Sequence, residues 1–223
     1  VKMPDLTIKD VLKNKEVKLF LEASAAQMAT LGYTEHSFRH CRLVSNKCGE
    51  ILSALEYPER MVELGRIAGY LHDIGNAVNR NNHEQTGAVL AYDFLRRHEM
   101  NCEEAITIMM AIANHDEGAG VPVNAVAAAL ILSDKADVHR SRVTNKDRAT
   151  FDIHDRVNYA VTRSTLSVDP KAKTATLDLQ IDTSISAVMD YFEIFLGRMK
   201  MCRNAALFLG LDFALIINEV RLL

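Results

Sequence analysis

From about residue 7 to residue 145 the apolar positions recur at three- and four-residue spacing, Gly and Pro fall between such stretches, and no two-residue alternation appears. That spacing predicts a run of helices. Gly32 follows a segment ending Ala-Thr-Leu and fits a helix C-cap, and Thr34 is then the expected N-cap of a second helix running to about Leu55. Pro58 opens a third helix with Met61, Leu64, Ala68 and Leu71 on one face, ending in Leu71-His72-Asp73-Ile74-Gly75. Further helices are predicted at about 84–98, 102–114 and 122–143, the last starting beside Pro122.

After about residue 155 the pattern changes. Val157 to Val168 and Thr174 to Ile181 are rich in Val, Thr and Leu, and Asp169-Pro170-Lys171 between them is a turn-forming group, so an antiparallel hairpin is expected. Two more helices, at about 184–209 and 212–222, are expected to close the chain. No internal repeat is visible. The expected fold is mainly α: a helical domain over 1–145 including an N-terminal helix, and a small C-terminal α+β extension over 146–223 packed on it.

Composition narrows the function classes. The 223 residues are 48% hydrophobic and 25% charged, an ordinary globular balance. Lys plus Arg number 26 against 29 Asp plus Glu, a formal charge of −3, which offers no general attraction to phosphate backbones and argues against a nucleic-acid partner. Cys41, Cys48, Cys102 and Cys202 form no C-x-x-C pair, so a reducing, cytoplasmic setting is expected. The lysine-studded N-terminus lacks a signal-peptide core, and the longest apolar run, Ala125 to Leu132, is far shorter than the roughly 20 residues a membrane span needs, so no membrane partner is expected.

The candidate chemistry lies in the histidines. Three of the eight precede Asp, in His72-Asp73, His115-Asp116 and His154-Asp155, a mild excess that identifies nothing alone. Context separates them. His72-Asp73 follows an apolar helix face, where a buried carboxylate needs a cation or several donors. A metal is the economical cation, because His offers a neutral nitrogen and Asp a charged oxygen pair able to bridge two ions. Further donors are available at His40, His83 and His115, and at Asp134 within an apolar stretch. His36, close to His40, is expected to support the site or be solvated, and His98, His139 and His154 are expected on the surface, with His154-Asp155 a chance pair.

The segments HSFRHCRLV (36–44), GYLHDIGN (69–76), HEQTGAVLA (83–91), AIANHDEG (111–118) and LILSDKADVHR (130–140) resemble, in order and spacing, the HD-domain metal-dependent phosphohydrolases. The likeness is greatest to the two-metal branch that includes bacterial dinucleoside-tetraphosphate hydrolases, which also carries an H-x-x-x-G-A segment soon after the HD pair. The resemblance implies an HD-domain helical bundle. It makes His40, His72, Asp73 and Asp134 ligands of a first divalent metal (Fe, Mn, Zn or Mg) and His83 and His115 ligands of a second, with Asp73 bridging. Many relatives carry Lys where this chain has Asn76, so Arg80 or Lys135 would supply that charge. Asp73 and Lys135 are the candidate catalytic residues, and Arg80, Lys135 and Arg140 the candidate substrate contacts.

The function so implied is hydrolysis of a phosphate ester or anhydride in a small phosphorylated molecule, a nucleotide first, by attack of a metal-bound hydroxide. Two other readings share the ligand set: a non-catalytic metal-binding regulatory module, and a di-iron oxygenase on the same fold. An oligomer is compatible with the sequence.

Overall fold

A computed structural model describes residues 5–118 and 120–223. The N-terminal helices are α1 (Ile8–Lys13) and α2 (Lys15–Thr30), separated by Asn14, whose side chain accepts the backbone N–H groups of Glu16 and Val17 and so starts α2. Gly32 takes the left-handed conformation expected just past the end of α2, at φ 79°. Helices α3 (Phe38–Ala54), α4 (Glu59–Leu71), α5 (His83–Arg97), α6 (Cys102–Ala113) and α7 (Ala125–Lys135) then form the bundle, with a 3-10 turn at Ile74–Ala77 between α4 and α5. The core is continuous. Val126 to Leu132 of α7 are fully buried, with α3, α4 and α6 packed around them.

Two helix limits differ from expectation. α3 begins after Ser37 rather than Thr34, because the Glu35 carboxylate accepts from the backbone N–H of Ser37 and from Arg39, while the Glu35 N–H donates to the Arg142 carbonyl. His36 therefore sits in a loop and not one helical turn before His40. α7 stops at Lys135 instead of about residue 143; Val138 then turns back on Ala136, and a short 3-10 turn, Arg140–Arg142, follows.

The C-terminal part comprises α8 (Ile153–Ala160), β1 (Val161–Asp169), β2 (Thr174–Ile181), α9 (Val188–Phe208), β3 (Asp212–Ile217) and β4 (Val220–Arg221). β1 and β2 form the expected antiparallel hairpin, except that residues 157–160, expected at its start, complete α8 instead. The expected helix at 212–222 is instead strand: β3 runs parallel to β2, with α9 as the crossover, and β4 turns back on β3. The physical reason is the run Phe213-Ala214-Leu215-Ile216-Ile217. It has no polar face for a helix to expose, and β-branched, continuously apolar residues suit a strand covered on both sides. α9 packs between α7 and this sheet and so joins the extension to the bundle. Among the described residues no helix is long and apolar enough to cross a membrane.

Candidate metal centre

Two close helix approaches build the site. At Gly69 a Cβ would fall 2.8 Å from the Ser45 Cα, so the missing side chain lets α4 press on α3 and brings His72 beside His40. At Gly75 a Cβ would lie 1.9 Å from the His83 carbonyl oxygen and 2.5 Å from the Gly87 nitrogen. The glycine of the His-Asp-Ile-Gly turn thus lets the first turn of α5 seat against it, which carries His83 toward Asp73.

His40 comes from the first turn of α3, His72 and Asp73 from just past α4, His83 from the start of α5, His115 from just past α6 and Asp134 from the end of α7. None is more than 9% exposed. His40 Nε2 lies 3.2 Å from His72 Nε2, 3.2 Å from Asp134 Oδ1 and 3.7 Å from Asp73 Oδ2. His72 Nε2 is 3.5 Å from Asp73 Oδ2 and 3.7 Å from Asp134 Oδ1, and His83 Nε2 is 3.6 Å from Asp73 Oδ1. Donors about 2.1 Å from one ion stand roughly 3.0–3.4 Å apart at octahedral or tetrahedral angles, close to these spacings. Ligand atoms of His40, His72 and Asp134 lie within 4.8 Å of one another, as do those of His72, Asp73 and His115, and those of His83, Glu84 and Asp116.

The tautomers point the same way. Nδ1 of His40 is 2.7 Å from Asp137 Oδ2, that of His72 2.8 Å from the Gly69 carbonyl, that of His83 3.1 Å from the Arg80 carbonyl and that of His115 2.6 Å from the Ile112 carbonyl. Carbonyls and carboxylates only accept, so Nδ1 holds the proton in each ring and in the neutral form every Nε2 turns a lone pair inward. Asp73 Oδ2 is buried with no hydrogen-bond partner, whereas its Oδ1 accepts from Asn76 at 2.9 Å. An unpartnered carboxylate oxygen among inward lone pairs is costly without a cation. The donor set therefore fits a divalent metal. At His83 the lone pair is already met by Arg80 Nη1 at 3.1 Å, so an ion there would have to displace that guanidinium.

Burial, with the charges of His72 and Lys135, pushes the His115 pKa down to about 3, leaving a neutral imidazole ready to ligate. Burial raises the Asp134 carboxyl, but the Lys135 ammonium 2.8 Å away, the hydrogen bond from His40 and the nearby His72 together outweigh it and hold the group well below the usual carboxylate range. Burial and Arg142 press the His40 pKa down, yet its hydrogen bonds to Asp134 and Asp137 prevail and raise it.

The six expected ligands converge, and four of them, Asp73, His83, His115 and Asp134, line a cavity of about 360 Å³. Lys135 and Arg80 line that cavity. Lys135 is buried rather than solvated and also lies 3.6 Å from Asp116, while Arg80 is 4.0 Å from Asp116 and stacks over Tyr33. Arg140 does not line it; its guanidinium lies over the Tyr159 ring. The nearby Arg142 does line it, although its N–H groups are engaged by the Glu35 and Asp137 carbonyls, and so does Arg198 of α9, paired with Glu117 and stacked on Phe195. Asn76 turns back on Asp73 instead of reaching into the cavity.

Sequence reasoning missed Asp137 and Asp116, and it misplaced His98 and His139. Asp137 and Asp134 are spaced one turn apart, and the need of a ligating imidazole for an acceptor at its other nitrogen is the signal that could have found Asp137. His36 and the His154-Asp155 pair line the cavity; His154 is exposed, as expected, while Asp155 is buried. His98, expected on the surface, is half-buried against Phe94 and Asn14, and His139 is half-buried and caps the 3-10 turn at Ser141.

Residues 37–156 match the model of the HD domain. The chain belongs to the HD domain family. Members of this family are generally metal-dependent hydrolases, and the matched span carries all six converging side chains. This HD protein is also 27% identical over 176 residues to an uncharacterized protein of Methanocaldococcus jannaschii, an alignment covering 68% of this chain and 67% of that one.

Proposed function

We propose that this HD protein is a phosphohydrolase of the two-metal kind, cleaving a phosphate ester or anhydride in a small phosphorylated molecule, a nucleotide first. The observation that carries the reading is the unpartnered Asp73 Oδ2 among inward Nε2 atoms, beside a cavity lined by Lys135, Arg80, Arg142 and Arg198. His40, His72, Asp73 and Asp134 would hold one ion, and His83 and His115 a second, with Asp73 shared. A divalent ion bound there supplies Lewis acidity, lowering the pKa of water and neutralising phosphoryl charge.

The rest belongs to the chain. Asp137 and the Gly69, Ile112 and Arg80 carbonyls fix the imidazoles in one tautomer. Lys135, braced between Asp134 and Asp116, and Arg80, which would leave His83 if an ion were bound there, would face the non-reacting phosphate oxygens. A cavity of about 360 Å³ suits a single small molecule, at the lower end of the roughly 300–1,000 Å³ usual for such sites. The net charge of −3 makes polymeric nucleic acid a poor substrate.

The test is an assay of protein reconstituted separately with iron, manganese, zinc and magnesium against a panel of nucleotides and sugar phosphates. Released phosphate or nucleoside phosphate, abolished by chelator and restored by metal, is the expected result. Lys135→Ala should raise KM or lower kcat while the metal content stays. Metal-loaded protein that is inert to the whole panel yet consumes oxygen with another substrate would establish oxidative chemistry in place of hydrolysis.

A further inference from the structure

The outward face of α9 carries a stripe that is complementary to itself. At 3.6 residues per turn Met189, Glu193, Leu196, Lys200, Arg203 and Leu207 fall within one arc, and all six are exposed, Met189 by 74%, Leu196 by 48% and Leu207 by 60%. The opposite arc, with Tyr191, Phe195, Met199, Cys202 and Ala206, is buried. α9 therefore already has the apolar face that its packing in the chain requires, and three large apolar side chains on the other face leave about half or more of their surface to solvent. The side chains of Glu193, Lys200 and Arg203 likewise have no hydrogen bond or ion pair among the described residues.

The order of these six residues identifies the partner. Arg198 is the midpoint of α9, which spans Val188–Phe208. About that midpoint Met189 mirrors Leu207, Glu193 mirrors Arg203 and Leu196 mirrors Lys200, each pair equidistant from Arg198. A second α9 laid antiparallel over the first, along about 31 Å of helix, brings apolar against apolar at both ends. It also sets acid against base on either side of the centre and packs Leu196 on the alkyl stem of Lys200. A parallel arrangement would place Glu193 against Glu193 and Arg203 against Arg203. We propose that α9 is the core of a two-fold interface between two copies of this chain, antiparallel and centred on Arg198. The interface lies on the side of α9 away from the metal centre and does not depend on the chemistry assigned there.

Sedimentation or light scattering at micromolar protein tests it. The wild-type chain should show twice the monomer mass of 24.9 kDa. Leu196→Glu should halve that mass, and Glu193→Arg, which sets Arg against Arg203 at both ends, should do the same. The double variant Glu193→Arg with Arg203→Glu rebuilds both pairs in swapped order and should restore the dimer, with unchanged helical circular dichroism throughout. A wild-type monomer would overturn the proposal. So would a dimer that survives both single substitutions, or a folded double variant as monomeric as Glu193→Arg alone.

Discussion

Asp137 decides how firmly His40 can serve the centre. Its Oδ2 holds the His40 Nδ1 proton at 2.7 Å and is itself steadied by Arg39 at 3.2 Å. Asp137→Asn keeps the size but replaces an obligate acceptor with a group that can offer either end, so His40 loses its fixed tautomer. We expect metal affinity to fall about 10–100-fold with little change in fold, read by competition against a chelating dye; unchanged affinity would mean that His40 needs no such partner. At this scale the six converging residues were legible, because each is a polar group forced into an apolar stretch or helix end. Their supporting partners were not, since Asp137 gains its meaning only when α7 ends early and turns toward α3. The same local turn separates two neighbouring arginines: Arg142 points inward to the Glu35 and Asp137 carbonyls, while Arg140 lies over Tyr159.

Among the elements, the helices were legible wherever an apolar stripe was bounded by a turn signal, as in α4 after Pro58 and α2 before Gly32. The loop before α3 was not, because Glu35 captures the Ser37 N–H and postpones the helix through a side chain that no periodicity reports. β3 was misread because periodicity alone does not separate a short apolar run in a buried helix from one in a buried strand; the lack of a polar face and the place beside β2 to which α9 crosses over decide it. The turn after His72-Asp73 is the element on which the site's geometry depends most. Gly75→Ala would drive a methyl into backbone at 1.9 Å, where no flexible side chain can yield. We expect a loss of about 3 kcal/mol or more in unfolding free energy, at or above the usual cost of overpacking, together with His83 drawn away from Asp73. A variant of wild-type stability in denaturant titration would show that the close seating of α5 on this turn is not required.

For the molecule as a whole, the bundle brings polar groups in or just past five helices to one buried point, and Phe195 and Arg198 of α9 line the cavity beside them. The bundle was legible as a fold, but the part played by α9 was not, because its inward residues reach the cavity only through the βαβ arrangement of β2, α9 and β3. The most direct test of the whole account is the metal content of the purified chain, measured by elemental analysis after reconstitution with iron, manganese, zinc or magnesium, beside Asp73→Ala. Four inward Nε2 atoms and two buried carboxylates predict close to two ions per wild-type chain for at least one of these metals, and a clear loss in Asp73→Ala. Fewer than one ion per chain with all four metals, or an Asp73→Ala protein that holds as much as the wild type, would contradict it.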